Sequence, residues 1–152
     1  MSARPIFTEE HESYRDQVRR FCEREVAPHI RAWEKAGITP REFWRKAGAA
    51  GVLCPTIPAE YGGGGGTFLH ACVVTEEMIR VGANFGFAVH SDMVSPYLMH
   101  YGSEELKQRL LPRLCRGEVD VERACARDRS TQGLQHEPPL HLGSPLSVVV
   151  DR

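Results

Sequence analysis

The segment Val89-His90-Ser91 places an imidazole where it could carry a proton or bind a metal near neutral pH. Nothing pairs with His90 at the spacing that metal ligands use. Two interpretations therefore stay open: His90 is a polar group in a ligand pocket, or it is a hydrogen-bonded packing residue. His70 and His100 are interpreted as structural residues.

Two adjacent carboxylates, Glu76 and Glu77, are the next candidates for proton transfer. Neighbouring positions of a helix point in different directions, so the two do not form an acid/base pair. We expect both to be solvated or bonded to Arg80. No glutamate of this sequence is assigned as a catalytic base.

The five cysteines are scattered, with no C-x-x-C pair, and their odd number cannot close entirely into intramolecular disulfides. This usage favours a reducing compartment. Without a visible activating neighbour, each is interpreted as a small buried hydrophobic residue. They are Cys22, Cys54, Cys72, Cys115 and Cys125.

Five successive glycines at residues 62–66 suggest a loop that binds phosphate through backbone N–H groups. The Gly-Lys-Ser/Thr ending of a nucleotide-binding loop is absent, because the run leads into Thr67 and Phe68. A flexible turn before the next helix is the simpler interpretation.

Composition limits the class of protein. The chain has 152 residues, 41% of them hydrophobic and 26% charged, which is typical of one globular domain with a core. A net charge of -1 argues against nucleic-acid or anionic-membrane partners. Residues 1–7 form neither a secretory signal nor a convincing transit peptide, and no apolar stretch reaches membrane-spanning length.

The elements that position these residues are predicted to be helices, which makes the fold class all-α. Thr8 caps a first helix, and Pro28 interrupts or bends it before residues 29–35, in which Trp33 faces inward. Pro40 opens a short helix that ends near Gly51. The apolar stripe of the first helix comprises Tyr14, Val18, Phe21, Cys22 and Val26, and that of the short helix Phe43, Trp44 and Ala47.

Three further helices follow. Thr67 caps one whose predicted apolar side comprises Phe68, Leu69, Cys72, Val73 and Ile79, opposite Glu76, Glu77 and Arg80. Residues 84–101 alternate like a strand at first, but a helical face of Phe87, Val94, Leu98 and Tyr101 favours a helix with a kink near Pro96. Ser103 caps the last helix, which Pro112 is predicted to divide and which ends at Arg116-Gly117.

Several motifs occur in an order that resembles one known family. They are F-T-E-E (7–10), F-C-E-R-E-V-A-P (21–28), F-W-R-K-A-G (43–48), P-A-E-Y-G-G (58–63), T-E-E (75–77), Y-G-S-E-E-L-K (101–107) and the segment 111–118. This series is similar to the opening of the acyl-CoA dehydrogenases, above all to long-chain and bacterial members.

The resemblance implies a flavin enzyme that uses FAD to remove two hydrogens from the alpha and beta carbons of an acyl-CoA thioester. It implies a fold with an N-terminal helical domain, a middle beta domain and a C-terminal helical domain, of which residues 1–118 would be the first. The positions that match the acyl-chain cavity are Phe87, His90, Ser91 and Val94. Interhelical packing is the alternative role for these four.

After Glu118 the family pattern calls for an apolar strand and an M-T-E-P-x-x-G-S-D flavin loop, and this sequence has neither. Residues 119–152 are predicted to be an irregular or disordered tail, for which a shifted reading frame or an alternative exon is our hypothesis. We expect this chain alone not to hold FAD and to be inactive. The alternative is a helical interaction module that self-associates or binds a full-length relative, in the cytoplasm or the mitochondrial matrix.

Overall fold

A computed structural model describes residues 6–83 and 86–119 of the chain. All regular elements in these ranges are helical, which confirms the predicted fold class. The α-helices are α1 (Glu9–Glu25), α2 (Ile30–Ala36), α3 (Arg41–Ala49), α4 (Phe68–Arg80), α5 (Ser95–Tyr101) and α6 (Glu104–Cys115). A 3₁₀ turn covers Ala59–Tyr61 and a π-helical segment covers Val89–Val94. Apart from Val119, the predicted tail lies outside the described residues.

Helix α1 begins as the sequence predicts. The Nδ1 atom of His11 accepts the N–H of Thr8 at 3.1 Å, so the two residues form a capping box at the positive end of the helix. The predicted stripe is confirmed: Val18, Phe21 and Cys22 are buried, together with Val26 just beyond the helix. The stripe packs against α4.

An aromatic cluster joins α3 to its neighbours. Pro40 precedes α3, and Phe43, Trp44 and Ala47 are buried as predicted. The ring of Phe43 lies 5.1 Å from that of Trp33, which faces inward from α2 as predicted. Phe87 stacks on Trp44 at 6.0 Å, so the third helix is tied to the segment before the π-helix.

The predicted face of α4 is wrong for Phe68, Ile79 and Glu77, although Val73 is buried as predicted. Phe68 and Ile79 are 75% and 66% exposed, whereas Glu77 is 3% exposed and lies inside with Val74 and Met78. The reason is a long-range ion pair, because cations from α1 reach Glu77 and turn this carboxylate toward the interior. The periodicity of apolar residues in α4 cannot indicate that Glu77 is buried, because the charges that neutralise it come from another helix.

The helix predicted over residues 84–101 is confirmed within its described part, and the kink takes the form of the π-helical segment before Pro96. The Ser95 hydroxyl donates to the carbonyl of His90 at 2.7 Å within this wider turn. Leu98 packs against the core as predicted, whereas Tyr101, the last residue of α5 and predicted on the same face, is 76% exposed.

The last helix is capped as predicted, since Ser103 accepts the N–H of Leu106 at 3.3 Å. The prediction that Pro112 divides it is wrong, because α6 runs continuously to Cys115. The carbonyl of Pro112 accepts the N–H of Arg116 at 3.1 Å, so the hydrogen-bonding pattern continues past the proline. The helix ends at Cys115 with Arg116 as its C-cap, and Gly117 follows with a φ of 65°.

Candidate functional site

The four residues matched to the acyl-chain cavity lie along one helical stretch, and three of them face the interior of this domain. His90 and Ser91 are fully buried and Phe87 is 6% exposed, while Val94 is half-buried. Their role in an acyl-chain cavity stays a prediction. Phe87 and His90 contact the ring of Trp44 in α3, and Ser91 accepts the backbone N–H of Cys54 from the loop after α3.

His90 connects the π-helical segment to α6. Its Nε2 atom donates to the carbonyl of Leu114 at 3.1 Å, which leaves a lone pair on Nδ1. Nδ1 is buried and has no hydrogen-bond partner among the described residues. The imidazole also packs 5.0 Å from the ring of Trp44. The orientation of His90 is therefore fixed by one hydrogen bond and one ring contact.

A cysteine that the motif search passed over lies in the same cluster. The backbone N–H of Cys54 donates to the Ser91 hydroxyl at 3.2 Å, and its Sγ atom lies 3.1 Å from the Ser95 hydroxyl oxygen. A hydrogen bond from Cys115 and the proximity of His90 lower the pKa of Cys54, although burial opposes this shift. The expectation that no cysteine has an activating neighbour is thus wrong for Cys54.

Burial of the cysteines otherwise follows the prediction. Cys22, Cys54 and Cys115 are buried and Cys72 is half-buried, whereas Cys125 lies outside the described residues. No spacing in the sequence connects Cys54 with Cys115. The 3₁₀ turn that follows Cys54 packs on α6, the helix that ends with Cys115.

The outer side of the helix that carries His90 is apolar and exposed. Val89, Met93, Tyr97 and Tyr101 recur at every fourth residue and are 40%, 62%, 61% and 76% exposed. The rings of Tyr97 and Tyr101 lie 4.8 Å apart. We call these four residues the exposed stripe. Contiguous apolar surface of this kind is typical of a surface that another part of a protein covers.

The two glutamates of α4 form ion pairs with α1. Glu77 binds Arg19 at 3.1 Å and Arg15 at 3.4 Å, and Glu76 binds Arg15 at 2.6 Å. Burial opposes the ionisation of Glu77, but the hydrogen bonds and charges of the two arginines outweigh it and lower the pKa of this carboxyl. Arg80 is more distant at 3.9 Å, so the predicted pairing is the weaker one.

The glycine run is occupied by internal hydrogen bonds. The N–H groups of residues 62–66 donate to the carbonyls of Ala59, Pro58, Cys54, Ile57 and Pro55, in that order. None of these five donors is therefore available to a phosphate, which supports the interpretation as a turn. A built Cβ atom at Gly63 or Gly64 would collide with the backbone of the same loop, so the missing side chains serve close packing.

Several backbone donors that could bind the pyrophosphate of a flavin are used within the chain. The starts of α1, α4 and α6 are capped by the chain's own side chains, and the five glycine amides donate to carbonyls of the same loop. The His70 ring caps α4 and lies 4.5 Å from the tilted ring of His11, in keeping with its predicted structural role. No step of chemistry through a flavin can be derived from these residues alone.

Two further classes of site are not found in the described part of the chain. Across residues 6–83 and 86–119, no three histidine, cysteine or acidic side chains are grouped so that they could hold a metal ion. Within the same ranges, no helix has the length and apolar character needed to cross a bilayer.

The fold and the sequence together define a helical domain of a dehydrogenase. Residues 8–118 match the profile of the N-terminal domain of acyl-CoA dehydrogenases, which is most of the chain. The chain belongs to the acyl-CoA dehydrogenase family.

Relatives of known identity agree with this assignment. A mitochondrial long-chain specific acyl-CoA dehydrogenase of Sus scrofa is 43% identical over 116 residues, which are 76% of this chain and 27% of the relative. The crystal structure of an acyl-CoA dehydrogenase from Geobacillus kaustophilus has a TM-score of 0.73 at 42% identity, over 77% of this chain and 31% of that one. A glutaryl-CoA dehydrogenase of Mycobacterium smegmatis in complex with FADH2 shares the fold, with a TM-score of 0.68 at 24% identity over 74% of this chain and 30% of that one. The chain thus spans less than a third of the length of these proteins.

Proposed function

We propose that this chain supplies the N-terminal helical domain of an FAD-dependent acyl-CoA dehydrogenase, an enzyme that introduces an alpha,beta double bond into acyl-CoA thioesters. The observation that carries the proposal is the family match over residues 8–118, which coincides with the described helical domain. The long-chain relative supports a role in fatty-acid metabolism, and its mitochondrial name supports the matrix as compartment.

This domain would line one side of the acyl-chain cavity rather than supply a reacting group. Phe87, His90 and Ser91 hold the helix in place from the inside, and Val94 and the exposed stripe are the parts of that helix open to an acyl chain or to another domain. In a cofactor enzyme the protein binds and orients while the cofactor supplies the chemistry. No carboxylate of the described residues is proposed as the base.

We further propose that the chain by itself does not retain FAD. The starts of α1, α4 and α6 are capped by side chains, the glycine amides are already hydrogen-bonded, and residues 119–152 lack the M-T-E-P-x-x-G-S-D loop. The test is the visible absorbance of the purified chain after incubation with excess FAD and gel filtration, with the Geobacillus kaustophilus enzyme treated identically as the control. We expect flavin in the control and none in the chain. Stoichiometric flavin in the chain would contradict the proposal.

A second candidate function is favoured by the exposed stripe. In this alternative the chain is a non-catalytic helical interaction module, and the stripe binds a second copy of the chain or a full-length relative. The two candidate functions differ in their need for FAD. Only the first requires that the enzyme, with all of its domains present, binds a flavin. Self-association is expected for both candidate functions, and substitutions in the exposed stripe test it.

A further inference from the structure

The starts of α1 and α4 are capped in the same way, by a threonine and a histidine three residues later. The Nδ1 atom of His11 lies 3.1 Å from the backbone nitrogen of Thr8 and 2.7 Å from its hydroxyl oxygen. The Nδ1 atom of His70 lies 3.0 Å and 3.2 Å from the same two atoms of Thr67. A capping box usually has glutamate or glutamine at this position, and neither takes up a proton near neutral pH. Here both caps depend on a group that does.

Both caps require a neutral imidazole. A backbone N–H only donates, so the Nδ1 atom that accepts it carries a lone pair and the ring proton lies on Nε2. A proton added to Nδ1 occupies this lone pair and ends the bond from the N–H of Thr8 or Thr67. The threonine hydroxyl can turn to accept the new proton, but the backbone N–H cannot. Protonation of either ring therefore removes a hydrogen bond from the start of its helix.

The two rings contact each other, which brings the two caps into one cluster. Their centroids lie 4.5 Å apart, so α1 and α4 meet at this pair. His11 is 7% exposed, and its Nε2 atom is buried without a hydrogen-bond partner among the described residues. A positive charge on this ring is costly because it is removed from water at the positive end of a helix. A second charge on His70 adds repulsion between the rings.

The groups that face His70 leave this preference for the neutral ring in place. The carboxylate of Glu10 lies 3.8 Å from Nε2 of His70 and favours a charged ring, but its side chain is 80% exposed, so solvent weakens the attraction. The Tyr14 ring lies 5.4 Å away, and burial raises the pKa of this phenol, which keeps it neutral. The groove beside His70 is otherwise lined by residues that carry no titratable side chain, namely Ser13, Gln17, Gly51, Pro55, Gly64 and Gly66.

The groups that face His11 likewise offer no stabilisation of a charged ring. The ring of Phe7 contacts His11 edge-on at 5.9 Å, and the guanidinium of Arg15 lies over that same Phe7 ring at 4.7 Å. The Arg15 charge is paired with Glu76 at 2.6 Å and with Glu12 at 3.2 Å. The carboxylates on this side are therefore already bonded to another cation.

We propose that His11 and His70 form a pH-sensitive switch that keeps the starts of α1 and α4 closed while both rings are neutral and opens them when the rings are protonated. An imidazole in water changes its charge at about pH 6.5. The unfolded chain therefore takes up protons at both histidines as the pH falls, whereas the closed state excludes them, so closure is lost with falling pH. The ion pairs of Arg15 and Arg19 with Glu77 join the two helices further along, which confines the opening to the helix starts.

The first test replaces both histidines by a capping residue that cannot be protonated. His11→Gln with His70→Gln keeps the capping-box pattern and should keep the helical circular dichroism of the full chain. Urea unfolding of the parent and of this double variant is measured at pH 7.5 and pH 5.5, and the ratio of their unfolding constants reports the two histidines, since the other titratable groups are the same. This ratio should rise about tenfold from pH 7.5 to pH 5.5. His100→Gln is the control, because His100 is exposed and caps no helix, and its ratio to the parent should not change with pH.

The second test uses the parent chain alone, so it also decides the question for a double variant that fails to fold. Nitrogen NMR at pH 7.5 should place the proton of both rings on Nε2 and show a scalar coupling across each N–H···N bond, from Thr8 to His11 and from Thr67 to His70. Both couplings should be lost at pH 5.5. The N–H of Leu106, which the Ser103 hydroxyl caps, should keep its chemical shift. A ratio of unfolding constants that stays constant with pH, a ring proton on Nδ1 at pH 7.5, or couplings that persist at pH 5.5 would each overturn the proposal.

Discussion

Asp92 shows how a single carboxylate on the π-helical segment responds to its surroundings. Burial raises the pKa of Asp92 to about 6, the nearby Cys54 adds to this, and a long hydrogen bond of 3.5 Å from Thr75 opposes it. The folded chain therefore binds a proton at Asp92 at a higher pH than the unfolded chain does. Above pH 6 the folded state carries the full cost of a partly buried charge, and this cost falls progressively between pH 6 and about pH 4, below which the unfolded chain is protonated at Asp92 as well.

We expect Asp92→Asn to be more stable than the parent at pH 7 by about 1–2 kcal/mol, because the amide is always neutral and can still accept the Thr75 hydrogen bond. The difference should shrink toward zero by about pH 4, where the parent carboxyl becomes protonated in the unfolded state as well as in the folded state. Urea unfolding of both proteins across this pH range measures it. Asp16→Asn is the control, since the Asp16 side chain is 64% exposed. A difference that does not change with pH would contradict the assignment.

The contact between α3 and the end of α6 depends on two glycines. A Cβ atom at Gly48 would lie 2.6 Å from the backbone carbon of Arg116, and one at Gly117 would overlap the carbonyl of Trp44. Gly117 also has a φ of 65°. Backbone packs directly on backbone here, which is closer than any side chain would allow. This contact fixes the end of α6, where Cys115 and the His90 partner Leu114 lie.

Gly117→Ala should destabilise the domain by more than Gly37→Ala does. Both glycines have similar left-handed backbones, with φ values of 65° and 68°, but nothing lies within 4 Å of a Cβ atom at Gly37. Gly37→Ala should therefore cost only the conformational strain, about 1 kcal/mol. Gly117→Ala should cost about 1–3 kcal/mol more, because the added methyl collides with the α3 backbone. Chemical unfolding of the two variants gives both values, and equal losses would show that the close approach is unimportant.

Local signals in the sequence predicted the elements well, and long-range contacts account for the errors. The capping roles of Thr8 and Ser103 could be predicted because each depends on a hydrogen bond with a residue three positions further along the chain. The face of α4 was predicted wrongly because Arg15 and Arg19, which turn Glu77 inward, come from another helix. The π-helical segment likewise contains a hydrogen bond from the Ser95 hydroxyl to the His90 carbonyl, which apolar spacing does not indicate.

The candidate site was predicted only in part for the same reason. His90 and Ser91 could be selected because they lie in one segment, and the structure places them together. Cys54 and Cys115 could not, since they lie in different segments and neither belongs to a motif. A left-handed backbone at Cys54 has no signature in the residue types around it. Such a cluster is visible only once the loop after α3 is seen against α6.

For the whole molecule, the most informative property is that one side of a well-packed helical domain remains apolar. The core extends from Val18 in α1 to Leu114 in α6, so the exposed stripe is not a sign of an incomplete interior. The chain matches 27% of the length of the Sus scrofa relative. Exposed apolar area is stabilised by burial at about 25 cal/mol per Å², which favours association of this face with another surface.

We predict that the chain self-associates through the exposed stripe at micromolar concentration. Replacing Met93, Tyr97 and Tyr101 with serine should shift sedimentation velocity profiles toward the monomer, because the exposed apolar side chains are removed without disturbing the core. Tyr97→Phe with Tyr101→Phe is the matched control, since it keeps both rings and should keep the association. Circular dichroism verifies that each variant remains helical. A parent chain that sediments as a single monomeric species, or a serine variant that associates as strongly as the phenylalanine control, would show that this face is not the one through which the molecule assembles.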